Sequence, residues 1–200
     1  YISVMLEHYD TLKDNPAYKK DLMEATRQAL SNLSWYFTDQ IKTAYGKNVI
    51  EITDTVENQG FAPAPLMMLY HCNFGYPAVG GQATLQAVDH KVEGKDEHAA
   101  ADIADWAKLA EPIPGYAEEV FIHQIPADAD GLSRIAIVNP ESKLKVTMAY
   151  DSKNLPFLNQ WKQLGEGEYV IGLEPGWMET HYDFTTGKQW NKTRFPVMID

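Results

Sequence analysis

Leu69-Tyr-His-Cys-Asn-Phe-Gly-Tyr-Pro77 carries the strongest structural signal in this chain. It sets a histidine and an asparagine on alternate positions among aromatic residues, and a glycine turn follows. Residues i and i+2 of an extended strand share a face, so His71 and Asn73 are predicted to point the same way. Tyr70, Cys72 and Phe74 then point the other way, into a core. A polar pair on one side of an otherwise apolar strand predicts a lined pocket.

A second stretch, Tyr169-Val-Ile-Gly-Leu-Glu-Pro-Gly176, ends a strand-like apolar run with one carboxylate. A histidine and a glutamate that lie far apart in sequence, each on a strand, are the parts that a general acid–base site needs. His71 and Glu174 are therefore the candidate catalytic pair. The flanking Leu173 and Pro175 predict partial burial of Glu174, which would raise its pKa and make it a stronger base.

Short strands separated by turn signals dominate the rest of the sequence from about residue 36. Apolar and polar residues alternate between Leu144 and Tyr150, which predicts a half-buried antiparallel strand. Further strands are predicted at 50–56, 61–76 (a pair interrupted by Pro63 and Pro65), 119–125, 133–138 and 168–173. Residues 89–109 are polar and alanine-rich, and predict a long loop with one helical turn near Ala99. This layout favours a β-sandwich over a barrel or a βαβ arrangement.

The first 35 residues differ, because their apolar residues follow helical spacing. Asn15 and Pro16 give a turn and a helix start between two amphipathic helices. We therefore expect a helical segment at 1–35 and a β-sandwich domain at 36–200, which together form one structural unit.

Composition excludes several classes of protein. The 200 residues are 44% hydrophobic and 12% aromatic, as in a globular protein. A formal net charge of −11 argues against nucleic acid and anionic membranes as partners, and no apolar run approaches the length of a membrane span. The single cysteine, Cys72, excludes an intrachain disulfide and fits a reducing compartment, so we expect a cytoplasmic protein.

Neither a cofactor nor a metal is expected. The sequence has no P-loop, no dinucleotide-binding fingerprint and no H-E-x-x-H motif. Its histidines lack tight metal-ligand spacing. A zinc site would form only if the strands brought His71, His123 and Glu174 within coordination distance.

The run 54–77, with its LYHCNFGYP core, resembles a branch of the aldose 1-epimerase (galactose mutarotase-like) family. The segments 154–162 and 172–176, the latter reading GLEPG, are similar to later motifs of the same branch and occur in the same order. The resemblance implies a large twisted β-sandwich, or supersandwich, with a sugar cleft on one concave sheet. Relatives are longer, with a further β-rich segment ahead of the matched part, so a shortened form of this fold is expected.

The resemblance also implies an activity and its residues. Glu174 matches the base that takes the proton from the anomeric hydroxyl, and His71 matches the acid that protonates the ring oxygen. The partner is then a small-molecule carbohydrate, and the chain an isomerase of carbohydrate metabolism. Other residues expected to contact the sugar are Asn73, Glu118, His123, Gln160 and Trp161.

Glu118 and Glu119 compete for one role in this site. Alternation puts Glu119 and His123 on one face of the strand and sets Glu118 beside Val120 and Ile122. The place of Glu118 in the run 116–123, Tyr-Ala-Glu-Glu-Val-Phe-Ile-His, nevertheless makes it the better match to the sugar-contacting acid that the resemblance implies. The two observations disagree at the level of sequence.

Two other interpretations stay open. In one, the chain is a non-catalytic carbohydrate-binding domain that kept the cleft and lost part of the active site. In the other, it is a structural or regulatory fragment whose unpaired edge strands make it form a homodimer or aggregate.

Overall fold

The computed structural model describes residues 35–59, 64–66, 68–177 and 197–199. The chain divides into two compact units, with the main division in the sequence between Pro65 and Leu66. The helices predicted for residues 1–34 lie outside the described residues. Among the residues that are described, no helix is long and apolar enough to cross a membrane.

The first unit contains an antiparallel hairpin. Its strands are β1 (Trp35–Thr43) and β2 (Ile50–Asn58), which confirms the strand predicted from the alternation at 50–56. Asp39 and Asp54 lie opposite each other in this hairpin, and desolvation together with the hydrogen bond and charge of Asp54 raises the pKa of Asp39. A separate two-stranded sheet joins β3 (Ala64–Leu66) to β12 (Val197–Ile199).

The second unit contains two antiparallel sheets. The strands of the larger sheet are β4 (Cys72–Phe74), β6 (Lys91–Gly94), β7 (Glu119–Gln124), β10 (Phe157–Gly165) and β11 (Glu168–Gly176). Those of the smaller sheet are β5 (Thr84–Ala87), β8 (Ser133–Asn139) and β9 (Leu144–Tyr150). The larger sheet has the order β4-β11-β10-β7-β6 and the smaller the order β5-β8-β9.

The two sheets pack against each other around one apolar core. Ile135 and Ile137 of β8 are fully buried, as are Leu158 of β10 and Ile171 of β11. Each such side chain stabilises the fold by roughly 1.5–3 kcal/mol relative to an exposed position. The second unit is therefore an antiparallel β-sandwich, and the described residues are mainly β, as the sequence predicts.

The segment predicted as a long loop at 89–109 is more ordered than expected. It contains the edge strand β6, helix α1 (Glu97–Ala101) and a 3₁₀ turn (Ile103–Asp105). The Asp96 side chain caps α1 by accepting a hydrogen bond from the backbone N–H of Ala99 at 2.9 Å. β6 escapes prediction because four residues, Lys-Val-Glu-Gly, carry too little alternation; pairing with β7 forms the strand.

Candidate active site

The register of the larger sheet divides its side chains between two faces. One face, the core face, carries Leu158, Ile171 and Leu173 and packs against the smaller sheet. The opposite face, here called the second face, carries the residues at alternate positions. On β11 these are Gly172 and Glu174, and their partners on β10 are Trp161 and Asn159.

His71 and Glu174 meet on the second face. Cys72 pairs with Leu173 and Asn73 with Gly172, so His71, one residue before β4, reaches Glu174. His71 Nε2 lies 3.1 Å from Glu174 Oε1. The glutamate side chain is fully buried, whereas 47% of the histidine side chain is exposed. Two residues about 100 positions apart thus form one acid–base contact.

The electrostatic surroundings of Glu174 favour its neutral form more than water does. Burial is the larger cause and the negative charge of Glu118 the second, and together they raise the pKa of Glu174 to about 7. A carboxylate with this pKa exchanges protons readily near neutral pH. The burial expected from Leu173 and Pro175 is therefore present, with Glu118 as an additional cause.

Gly172 leaves a gap between the polar side chains of the second face. A Cβ atom at this position would lie 2.6 Å from Glu174 Oε1, 3.1 Å from the Cβ of Trp161 and 3.4 Å from Asn73 Oδ1. Asn73 itself is exposed. A side chain at position 172 would therefore force the Glu174 carboxylate to shift.

Trp161 links two other members of this face. Its indole N–H donates to Glu118 Oε2 at 2.8 Å. Its ring lies edge-on to the His71 ring, with centroids 5.8 Å apart and planes at 74°. The expected set His71, Asn73, Glu118, Trp161 and Glu174 is thus brought together on one face.

Asn159 belongs to the same face and was missed in the sequence. It is fully buried and lies directly opposite Glu174 in the register, and its amide donates to the Glu174 backbone carbonyl at 3.5 Å. The available signal was its position two residues before Trp161, which puts both on one side of a strand. No strand was predicted at 157–165, so that spacing went unused.

His123 and Gln160 lie elsewhere, on the core face. Gln160 Nε2 donates to the Trp106 carbonyl at 2.8 Å, which leaves its Oε1 to accept from His123 Nε2 at 3.0 Å. His123 Nδ1 then accepts from His90 Nε2 at 2.9 Å. Burial, followed by the nearby His90, lowers the pKa of His123 to about 3. These two side chains, expected to contact sugar, are fully buried members of a core network.

The same geometry separates the residues considered for zinc. His123 is on the core face, while His71 and Glu174 are on the second face, so the three do not converge. Within the described ranges, no group of three or more histidine, cysteine, aspartate or glutamate side chains is placed to hold a metal ion.

The structure also separates Glu118 from Glu119. Glu119 is buried on the core face, where its Oε2 lies 3.1 Å from Lys162 Nζ and accepts a short hydrogen bond from the Tyr116 hydroxyl. Glu118 lies on the second face, where it accepts the hydrogen bond of the Trp161 indole N–H. Alternation therefore predicts the two faces correctly, but the polar face of β7 is the one that packs in the core.

The fold is that of an aldose 1-epimerase-like β-sandwich. The chain is similar to a crystal structure from Klebsiella pneumoniae subsp. pneumoniae MGH 78578, described as a "putative aldose 1-epimerase". The TM-score is 0.69 and the identity 25%, over 72% of this chain and 38% of that one. The chain thus spans well under half the length of that relative.

A family model places the chain more narrowly. Residues 22–197 match the family described as a domain of unknown function, DUF4432, and the chain belongs to that family. No curated protein matches it.

Proposed function

We propose that this chain is an aldose 1-epimerase-like mutarotase that interconverts the anomers of a free sugar or sugar derivative. The contact between His71 Nε2 and Glu174 Oε1, at 3.1 Å, is the observation that supports it most directly. Ring opening of a hemiacetal needs one group that removes a proton and one that supplies a proton. This pair provides both groups at one point of the second face.

In the proposed reaction, Glu174 removes the proton of the anomeric hydroxyl while His71 donates a proton to the ring oxygen. The C1–O5 bond breaks, and its electron pair stays with O5, which becomes the C5 hydroxyl. The open-chain aldehyde rotates about C1–C2. Closure reverses the transfers: Glu174 returns its proton to the former carbonyl oxygen, and His71 recovers a proton from the C5 hydroxyl.

The raised pKa of Glu174 suits this cycle. A carboxylate of ordinary pKa would be a weak base toward a hemiacetal hydroxyl, whereas a pKa of about 7 balances basicity against the ionised fraction at neutral pH. Each well-placed proton-transfer group contributes roughly 10²–10⁴-fold. No cofactor is needed for this chemistry.

The sugar must take part of the space now filled by the contact between the two residues. Glu174 is fixed by burial, whereas His71 is about half exposed and lies just before β4. We therefore assign the adjustment to the imidazole, which moves aside and lets the hemiacetal bridge the two groups. Asn73 at the exposed edge supplies an amide to a sugar hydroxyl, and the Trp161 ring supplies an apolar surface for the C–H side of a pyranose. His123 and Gln160 are not part of this proposal because they face the core.

Optical rotation of freshly dissolved α-D-glucose and α-D-galactose tests the activity. Wild-type protein should accelerate the approach to equilibrium, and Glu174→Gln and His71→Asn should each reduce the catalysed rate by roughly 10²–10⁴-fold. Glu168→Gln is the matched control, since this exposed glutamate lies on the same strand, six residues away. Full activity in both site variants would refute the assignment.

A non-catalytic carbohydrate-binding domain is the second candidate. One observation favours it: His71 and Glu174 are 3.1 Å apart, so they fill the space that a reacting hemiacetal would need between them. In this case, the folded protein binds sugar with saturation but leaves the rate of mutarotation at its background value. Sugar titrations by NMR on the same sample separate the two candidates.

A further inference from the structure

Glu118 is placed to control the orientation of Trp161 and not only to add charge to the second face. It lies just before β7 and 43 positions from the tryptophan in sequence, yet its Oε2 accepts the indole N–H at 2.8 Å. The indole N–H is a donor without acceptor capacity, so this bond fixes which edge of the ring points toward β7. Glu118 itself is exposed.

The Trp161 ring also contacts His71, one member of the acid–base pair. The Trp161 and His71 rings meet edge-on at 5.8 Å, and His71 in turn contacts Glu174 at 3.1 Å. The Trp161 Cβ also borders the gap above Gly172. A rotation of the indole would therefore change both the surface offered to a ligand and the support of the imidazole.

A partly exposed tryptophan has two side-chain torsions that must be restricted before its ring can serve as a binding surface. Holding it in one rotamer in the free protein removes the cost of ordering this side chain from ligand binding. One charge-assisted hydrogen bond is of the right size to do this.

We propose that Glu118 is a positioning residue: its carboxylate holds the Trp161 indole as a preorganised platform for the apolar face of the sugar. This inference rests on the proposed sugar site, and it replaces the expectation that Glu118 contacts the sugar directly. Trp161 touches the ligand, and Glu118 acts through Trp161.

A double-mutant cycle on Glu118→Ala and Trp161→Phe tests this role. The phenylalanine keeps an aromatic surface but has no N–H to donate. Glu118→Ala should raise KM about three- to tenfold in the wild-type background, with a smaller change in kcat, and should have no further effect on KM in the Trp161→Phe background. Equal effects in both backgrounds would show a direct sugar contact and overturn the proposal. No effect of Glu118→Ala in either background would overturn it as well.

Two further variants separate the effect of the hydrogen bond from that of the negative charge. Glu118→Gln keeps a side-chain oxygen that can accept the indole N–H, so it should restore most of the affinity lost in Glu118→Ala. Glu166→Ala removes another exposed glutamate, in the turn between β10 and β11, and controls for a general loss of negative charge. A KM as high in Glu118→Gln as in Glu118→Ala would contradict a role for the hydrogen bond.

The hydrogen bond can also be tested independently of catalysis. Trp161→Phe identifies the Trp161 indole N–H among the five tryptophan signals in a ¹⁵N NMR spectrum. Glu118→Ala should shift that signal and speed its exchange with water, whereas Glu118→Gln should do so less. An unchanged signal in Glu118→Ala refutes the proposal.

If wild-type protein fails to accelerate mutarotation, the proposed reaction fails. The cycle is then measured on sugar dissociation constants, and the same pattern of non-additivity is expected. If no sugar binds either, the platform has no ligand and the proposal is refuted, even where the NMR signal shows the hydrogen bond.

Discussion

Glu174 Oε1 lies 3.1 Å from His71 Nε2, with the carboxylate fully buried and the imidazole about half exposed. Burial and the charge of Glu118 raise the pKa of this glutamate to about 7, so the protein holds it in a state that is costly to ionise. Perturbed pKa values of this kind are common for groups that transfer protons in active sites. The raised pKa of Glu174 should affect both activity and stability.

Activity should rise with pH through the pKa of Glu174. The base must be ionised to accept the anomeric proton, so kcat/KM should fall about tenfold per pH unit well below pH 7. Glu118→Gln removes the second cause of the raised pKa and should move this acid limb to lower pH. Initial rates of mutarotation between pH 5 and 9, corrected for the buffer-catalysed reaction, provide the measurement. A midpoint of the acid limb near pH 4.5 would show that the pKa of Glu174 is not raised in the folded protein.

Stability should change with pH in the opposite direction. The folded-state pKa of Glu174 lies above its unfolded value, so the folded protein binds more protons between about pH 4.5 and 7. Stability from this group is therefore complete below about pH 4.5 and is lost as the pH rises through 7. Glu174→Gln should stabilise the protein by about 1–3 kcal/mol at pH 8 and by much less at pH 4.5. Urea unfolding at both values measures this. A variant less stable than wild type at pH 8 would contradict the cost assigned to the buried carboxylate.

Gly172→Ala should damage the site without unfolding the sandwich. The new Cβ would lie 2.6 Å from Glu174 Oε1, so the carboxylate must leave the position in which it contacts His71. We expect at least a tenfold loss of kcat, because small displacements of a proton-transfer group are costly. Gly75→Ala is the matched control, since the nearest atom to its new Cβ is 3.9 Å away. Equal activities of the two variants would mean that the gap above Gly172 has no role.

His123→Leu tests the assignment of that residue to the core. The change removes the partner of Gln160 Oε1, which is buried, and that of His90 Nε2, which is half-buried; the lost buried bond alone costs about 1–3 kcal/mol. The midpoint of urea unfolding should fall, while KM for sugar in the folded protein stays at its wild-type value. A selective rise in KM would return His123 to the sugar site, as the sequence suggested.

The sequence predicted the strands with clean alternation, such as β9, and the pairing of His71 with Glu174, because period-two patterns and motif order carry that information. It failed for β6 and β10, whose formation depends on hydrogen bonds to β7 and β11. It also assigned His123 and Gln160 to the sugar, whereas both lie on the core face. Hydrogen bonds from Gln160 to the Trp106 carbonyl and between Gln160 and His123 give both side chains polar partners inside the core. These partners are far apart in sequence, so sequence patterns do not predict the contacts.

Charge on the second face predicts which sugars the site accepts. Glu118 and Glu174 both face it, and the negative charge of Glu118 is strong enough to contribute to the raised pKa of Glu174. A phosphate or carboxylate on the sugar at about 8 Å from each would meet a repulsion on the order of 0.5–2 kcal/mol per pair. We therefore expect kcat/KM for glucose 6-phosphate and glucuronate to lie at least about tenfold below that for glucose in dilute buffer.

Glu118→Gln should reduce this difference in kcat/KM. A rise in ionic strength should reduce it as well, because salt screens exposed charges but leaves neutral glucose unaffected. Equal or higher efficiency for the anionic sugars would show that a cation of the protein reaches the ligand and outweighs both carboxylates.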